Sequence, residues 1–423
     1  MAPNTATFFS RAWYGDEEIT LPLPAEWQVE TLAPRQLPAL SSAKIRAAFQ
    51  RPIGTAPISQ LARGSGSAAI VVDDLSRPTP AAVIIPALLE ELIAAGLPRD
   101  EIRFVVGGGS HRPLTREEIV KKVGAEVASR YEVTNHDFMS GHLRGVGNLP
   151  DGTPIFIDPV VADADFKVCL GGIYAHGAVG FGGGAKLILP GVSGLATMFC
   201  YHAFYPSRGH AVVEAERGDN PDHRHISEEV AGRVGLDVIV NAVLNHRREV
   251  AGLFVGDFIQ AHRQAAGFAL EAYGTAIPDS LRREADLLLV NCYPLDSDPI
   301  QTGKALWPRR FFDRAYTVAV NPASDGISYH GLFDRLSYNL FQTKVAQRTP
   351  RELPTPRIGK PDQVLILSEH FPVDEFCVKH AGDILFRHWE DLIAQLSERL
   401  PRRARVAVFP FAGIQVQAPG PQS

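Results

Sequence analysis

Short apolar runs rich in β-branched residues alternate along the chain with longer stretches whose apolar positions recur every three to four residues. The short runs cover residues 69–72, 102–106, 167–170, 237–243, 287–290, 316–320, 363–367 and 405–409. Between them lie helix-like stretches at 81–95, 115–127, 226–234 and 257–273. Strands that alternate with amphipathic helices predict an α/β fold with largely parallel sheets. Helix starts carry their usual signals. Thr115 stands three residues before Glu118, the spacing of a capping box. Asn220-Pro221-Asp222 precedes the helix at Ile226. The turn-rich Tyr273-Gly274-Thr275-Ala276-Ile277-Pro278 follows a helix and opens a new strand and helix series. It predicts an N-terminal α/β domain over 1–273 and a C-terminal α/β domain over 274–407, with 408–423 a candidate to return to the first. The Pro-rich stretch 349–361 reads as a long loop, and 418–423 as a frayed end.

Length supports two domains, because 423 residues exceed one ordinary core. Composition (45% hydrophobic, 21% charged) is that of a globular protein. A net charge of −5 gives no basic footprint for nucleic acid. No apolar run reaches the roughly 18 residues of a membrane helix. The N-terminus lacks the basic start and apolar centre of a signal peptide. Cys169, Cys200, Cys292 and Cys377 show no CxxC pairing and read as free thiols. The expectation is a cytoplasmic protein with neither nucleic-acid nor membrane partner.

Chemistry concentrates where strands end. The first gives Asp73-Asp74-Leu75-Ser76-Arg77-Pro78, the second Gly107-Gly108-Gly109-Ser110-His111-Arg112-Pro113, and the third Gly171-Gly172-Ile173-Tyr174-Ala175-His176. In the second half, 287–290 runs into Asn291-Cys292-Tyr293-Pro294, then Gln301 and Lys304. Ligands of open α/β sheets sit outside the carboxyl ends of the strands. These positions predict an active-site cleft between the two domains. Taken singly, each residue has a plainer reading: Asp74 as a turn cap, His111 as a loop histidine. Gly182-Gly183-Gly184-Ala185-Lys186 invites comparison with a phosphate loop but has Leu187 where a Ser or Thr would hold magnesium. His136 and the cluster Asp222-His223-Arg224-His225 lack partners at known ligand spacing and read as solvated turns rather than metal sites.

Four stretches together resemble the nickel-dependent lactate racemase-like family: DDLSRPTP at 73–80, GGGSHRPLTREE at 107–118, GGIYAHGAVGFGGGAKLILPGVSGLATMFCYH at 171–202 and NCYPLDSDPIQTGKA at 291–305. Weaker matches are Asp219-Asn220-Pro221, 240–245, Val255-Gly256-Asp257-Phe258 and Ala261-His262-Arg263. After Leu306 only the strand pattern matches, and Trp307, His330 and Trp389 have no role beyond packing.

The resemblance implies a pyridinium-3,5-bisthiocarboxylic acid mononucleotide, a nickel-pincer nucleotide, joined to Lys186 with nickel held by His202. It implies His111 and His176 as paired acid/base groups, and Asp74 with Gly182, Gly183 and Gly184 at the cofactor. Arg77, Gln301 and Lys304 are implied at the substrate, and cofactor-synthesis enzymes as partners. The implied activity is racemisation or epimerisation of a small 2-hydroxy acid. Hydride removal avoids the unstable carbanion that proton removal from Cα would leave, and two faces of the planar intermediate call for two acid/base groups. A sugar-acid C2 epimerase would use the same residues. A non-catalytic protein that binds a nucleotide cofactor would not need both His111 and His176. Two positions depart from the family pattern: Ile300, where a tyrosine is expected, and Ala185, where a larger residue is. Both bear on substrate choice, so the resemblance does not fix lactate.

Overall fold

The strands Ala68–Val72 and Phe166–Gly172 are buried at every position, which is why they read as unbroken apolar runs rather than alternations. They lie at the centre of a six-stranded sheet in a computed structural model that describes residues 4–214, 221–326, 329, 355–360, 362–373, 376, 380 and 382–418. Two compact units are present. One spans 37–270, and the other combines 1–36 with 271–423.

The sheet of the 37–270 unit has the order Val250–Gly256, Val238–Leu244, Phe166–Gly172, Ala68–Val72, Ile102–Val106, Glu132–Asn135. All neighbours are parallel except the first pair. From Ala68–Val72 the chain steps outward twice on one side, then returns to place Phe166–Gly172 on the other. The order therefore reverses between these two strands. One apolar cluster joins Val71, Val105 and Cys169 of the sheet to Leu187, Ile226 and Val230.

The second unit carries a parallel six-stranded sheet in the order Ile384–Phe386, Val364–Leu367, Tyr316–Val320, Leu287–Asn291, Arg405–Phe409, Gln28–Thr31. Its order reverses between Leu287–Asn291 and Arg405–Phe409. An antiparallel hairpin, Asn4–Ser10 with Glu17–Leu23, belongs to the same unit. Its buried positions alternate, so that Ala6, Phe8, Leu21 and Leu23 join the core that contains Leu287 and Val406.

The expected boundary near 273 falls within a few residues of the observed one. Residues 1–36, however, belong to the second unit rather than the first. The parallel pairing of Gln28–Thr31 with Arg405–Phe409 holds them there. Residues 408–418 also stay with the second unit, because Val416–Gln417 pairs with Gly274–Thr275. The helix expected over 115–127 is two helices, Arg116–Val123 and Ala125–Arg130, broken at Gly124 with φ +89°. The capping box of Thr115 and Glu118 is formed, and Asp222 caps the helix His223–Val234. Cys169 and Cys292 are buried free thiols, Cys200 is a half-buried one, and Cys377 lies outside the described residues. Among the described residues no helix is long and apolar enough to cross a membrane.

Candidate active site

The sheet of the 37–270 unit reverses order between Ala68–Val72 and Phe166–Gly172. The chain leaving these strands carries Asp73, Asp74 and Arg77 from one and Gly172 to His176 from the other. This is the position at which α/β sheets bind ligands. A buried ion pair spans it. Lys122, fully buried, places Nζ 2.7 Å from Asp73 Oδ1 and also donates to the carbonyls of Arg77 and Thr79 at 3.2 and 3.1 Å. Asp73 Oδ2 accepts from the Gly172 N–H at 3.1 Å and from Thr79 Oγ1 at 2.7 Å. One carboxylate thus ties the two strand ends together.

The adjacent Asp74 is also buried. Its Oδ2 lies 2.5 Å from His111 Nδ1, and its Oδ1 accepts from the N–H and Oγ of Ser76. Burial would raise this carboxyl. The charge and hydrogen bond of His111, the Arg77 guanidinium and Ser76 together hold it well below the usual carboxylate range. An ionised Asp74 can only accept, so His111 Nδ1 carries the proton. When the imidazole is neutral, the lone pair is therefore on Nε2, where a base needs it. Asp74, expected at the cofactor, is therefore engaged with His111 through one oxygen and with Ser76 through the other. Arg77 is buried, with its guanidinium 5.9 Å from the centre of the Tyr174 ring.

His176 pairs with Gly180 across a two-residue ribbon, and its Nδ1 accepts from the Ala178 N–H at 3.2 Å. The ribbon runs into Gly182, Gly183 and Gly184. Gly183 adopts φ +70°, and a Cβ there would stand 2.8 Å from both Asn241 Oδ1 and Ile173 Cδ1. Only glycine takes this path without strain. The turn Gly184–Leu187 then presents Lys186. Lys186 is half-buried, and its side-chain amine has no hydrogen bond or ion pair among the described residues. Burial, with Arg77 and Arg224, pushes its ammonium down to about 7, against the opposing pull of Asp74 and Asp73.

His202 lies on the helix Leu195–Phe204 and is exposed. Its Nδ1 is 2.8 Å from the Met198 carbonyl, so Nδ1 carries the hydrogen and Nε2 the lone pair. The ring packs at 4.9 Å from Tyr201 and 5.7 Å from His223. Desolvation of the ring lowers its basicity, the Met198 carbonyl raises it, and Lys186 lowers it again, for a net decrease. Neutral His202 thus has a metal-ligand tautomer fixed by a backbone carbonyl.

Lys186, His202 and the glycine segment fit a covalently held, metal-bearing nucleotide. The amine has no competing partner, the imidazole keeps Nε2 open, and the glycine path leaves no room for a side chain at Gly183. No group of three or more His, Cys, Asp or Glu able to hold a metal occurs among the described residues.

Other expectations fall differently. His136 is no solvated turn. It is buried, with Nδ1 2.9 Å from Asp158 and Nε2 3.0 Å from the Ser193 carbonyl. The 222–225 cluster is likewise structural. Asp222 caps a helix and pairs with Arg208 at 2.7 Å, His223 Nε2 meets the Tyr201 carbonyl, and Arg224 is fully buried. Gln301 and Lys304 belong to the second unit, on the segment that follows Leu287–Asn291, and Gln301 Nε2 donates to Asp298 at 3.1 Å. Ile300 immediately precedes Gln301 in the short turn Pro299–Gln301. Trp307 and Trp389 are buried packing residues, with ring N–H bonds to Ala412 and Pro22. His330, Asp219 and Asn220 lie outside the described residues.

Sequence reasoning missed the supports of the glycine segment: Arg224, His262 and Asn241. The signals were His262 and Asn241, each within a weak family match, and Arg224 was read as part of a solvated turn.

Residues 14–212 match the family model described as the lactate racemase N-terminal domain. A lactate racemase of Lactiplantibacillus plantarum is 29% identical over 300 residues, which is 69% of each chain. A lactate racemase of Thermoanaerobacterium thermosaccharolyticum is 27% identical over 265 residues, 62% of this chain and 61% of that one, so that alignment spans under two thirds of the relative. The lactate racemase apoprotein structure from T. thermosaccharolyticum superposes with a TM-score of 0.70 at 20% identity, covering 98% of this chain and 99% of that one. A structural-genomics protein from Thermotoga maritima gives 0.58 at 18% identity, covering 89% and 98%. At these identities the two structures speak to the fold.

Proposed function

We propose that this chain, whose residues 14–212 match the lactate racemase N-terminal domain family model, is an isomerase that inverts the C2 centre of a 2-hydroxy acid with a nickel-pincer nucleotide held by Lys186 and His202. When bound, that group would supply an electrophilic centre able to take up and give back a hydride. The observation that carries the reading is the Lys186 amine, which has no partner among the described residues and a pKa near neutrality.

The chain's own residues do the rest. His111 Nε2, with Asp74 behind Nδ1, takes the proton of the 2-hydroxyl on one face. The Asp74 carboxylate then stabilises the imidazolium that forms. His176 serves the opposite face. Each histidine returns its proton when the hydroxyl is regenerated, so acid and base exchange roles with the direction of turnover. Arg77 and Lys304 hold the substrate carboxylate, and Gln301 its hydroxyl; Arg can grip a carboxylate through two parallel hydrogen bonds. Lactate is the substrate named for the relatives. Ile300 and Ala185 are the positions to which we assign any departure from it.

Protein produced together with the cofactor-synthesis enzymes should carry added mass on Lys186 and should erode the optical purity of one member of a panel of chiral 2-hydroxy acids. An unmodified Lys186 under those conditions would remove the proposal. His202→Ala should lose bound nickel, and nickel that stayed stoichiometric would reassign the ligand.

A further inference from the structure

Every backbone carbonyl from Val179 to Gly183 is met by a donor. Arg224 reaches three of them. Its Nε lies 3.4 Å from the Val179 carbonyl and its Nη1 3.4 Å from the Gly183 carbonyl, while Nη2 donates to the Phe181 carbonyl. His262 Nε2 takes the Gly182 carbonyl at 3.0 Å, and the Ala211 N–H takes that of Gly180 at 3.1 Å. Arg224 is fully buried, so its charge must be balanced within the unit. Glu228 stands 3.9 Å away and is itself gripped by Arg263 at 2.6 and 2.9 Å. Arg263 also donates to His262 Nδ1 at 3.1 Å, which leaves the His262 hydrogen on Nε2, facing Gly182. A planar, forked cation on three alternate carbonyls of one segment is a task that lysine cannot perform.

We propose that Arg224 is a positioning residue of this site: it shapes the segment from Val179 to Gly183, and through it sets where His176 and Lys186 stand. Glu228, Arg263 and His262 hold Arg224 and the Gly182 peptide in register. The loading part of the argument rests on the cofactor reading above; the shaping part does not.

The test compares Arg224→Lys and Arg224→Gln with the parent. In the protein without cofactor, amides of 180–186 should exchange at least about tenfold faster in both variants, the loss of one hydrogen bond from a charged donor. Amides of Ala68–Val72 and Ile102–Val106 should keep their parental rates. After production with the cofactor-synthesis enzymes, the fraction of folded chains modified at Lys186 should fall. Parental exchange at 180–186, or acceleration spread evenly over the whole unit, would overturn the proposal. So would failure of both variants to fold, which would make Arg224 a residue of the core alone. If the parent itself carries no mass on Lys186, the cofactor reading fails while the exchange comparison still decides the role of Arg224.

Discussion

The neutral amine of Lys186 should make it by far the most reactive lysine of the cofactor-free protein near pH 7. Its pKa of about 7, against 10.5 for an ordinary lysine, comes first from burial and then from the Arg77 and Arg224 cations. At pH 7 about half of the Lys186 amines are neutral, against roughly three in ten thousand for an ordinary lysine, an advantage of about three orders of magnitude. A less basic amine is also a weaker nucleophile. With the Brønsted slope of about 0.45 known for thiols, the net gain shrinks to roughly 30- to 50-fold. The assay is a short pulse of an amine-acylating reagent between pH 6 and 9, read by peptide mass, with exposed Lys44 as internal reference. The Lys186 rate should level off with a midpoint near 7, and Arg77→Gln should move that midpoint upward. A Lys186 rate still climbing tenfold per pH unit at pH 9 would refute the electrostatic reasoning. Absence of label at every pH would refute the reading of an accessible amine.

Gly183→Ala should cost about 1–3 kcal/mol, because the new Cβ must enter a left-handed conformation against Asn241 and Ile173; chemical denaturation measures it, and a cost within error of zero would count against the fixed path. Lys122→Met leaves Asp73 as a buried carboxylate without its cation, which should cost about 3–5 kcal/mol by thermal or urea unfolding; a loss under about 1 kcal/mol would mean that water reaches the pair. The Asp74 carboxyl titrates lower in the folded than in the unfolded chain, so its contribution is fully present above the ordinary value of 3.8 and disappears as pH falls through the lowered folded value. The stability gap between parent and Asp74→Asn should therefore be constant above about pH 5 and close below pH 4, whereas a gap that widened on acidification would reverse the sign of the argument.

The sequence made legible what local spacing controls. Lys186 and His202 stand on one continuous stretch, and the glycines between the ribbon and Lys186 mark a backbone path that side chains would block. The buried parallel strands were visible as apolar runs. Pattern alone did not show which strands would pair. Gln28–Thr31 is polar at its visible positions, and its partner Arg405–Phe409 lies at the far end of the chain, so the N-terminal 36 residues were assigned to the wrong unit. The edge strands Glu132–Asn135 and Val250–Gly256 escaped for a related reason: the first is short and polar, and the second carries Gly252 and Gly256. Arg224 was misread because charge next to a helix start suggests solvent. Its three carbonyl partners lie 41 to 45 residues earlier. The same holds for His136, whose Asp158 and Ser193 partners come from distant turns.

Topology explains why the motif stretches carry the chemistry. The stretches at 73–80 and 107–118 begin immediately after Ala68–Val72 and Ile102–Val106, and that at 171–202 overlaps the end of Phe166–Gly172. That at 291–305 begins on the last residue of Leu287–Asn291, beside the reversal of the second sheet. Within each parallel sheet the strand ends lie on one edge of that sheet, and at a reversal the flanking connections diverge to opposite faces and leave a crevice. In the first sheet, Asp73, Asp74, His111 and His176, far apart in sequence, therefore reach one edge without needing contacts that a motif could reveal. The Asp73 carboxylate is the physical form of that convergence. It binds Gly172 of one strand end and Lys122 behind the other, so Asp74 with His111 and Gly172 with the ribbon of His176 are held by a single buried charge. Loss of that charge should disturb both histidines together, whereas loss of Asp74 should disturb His111 alone.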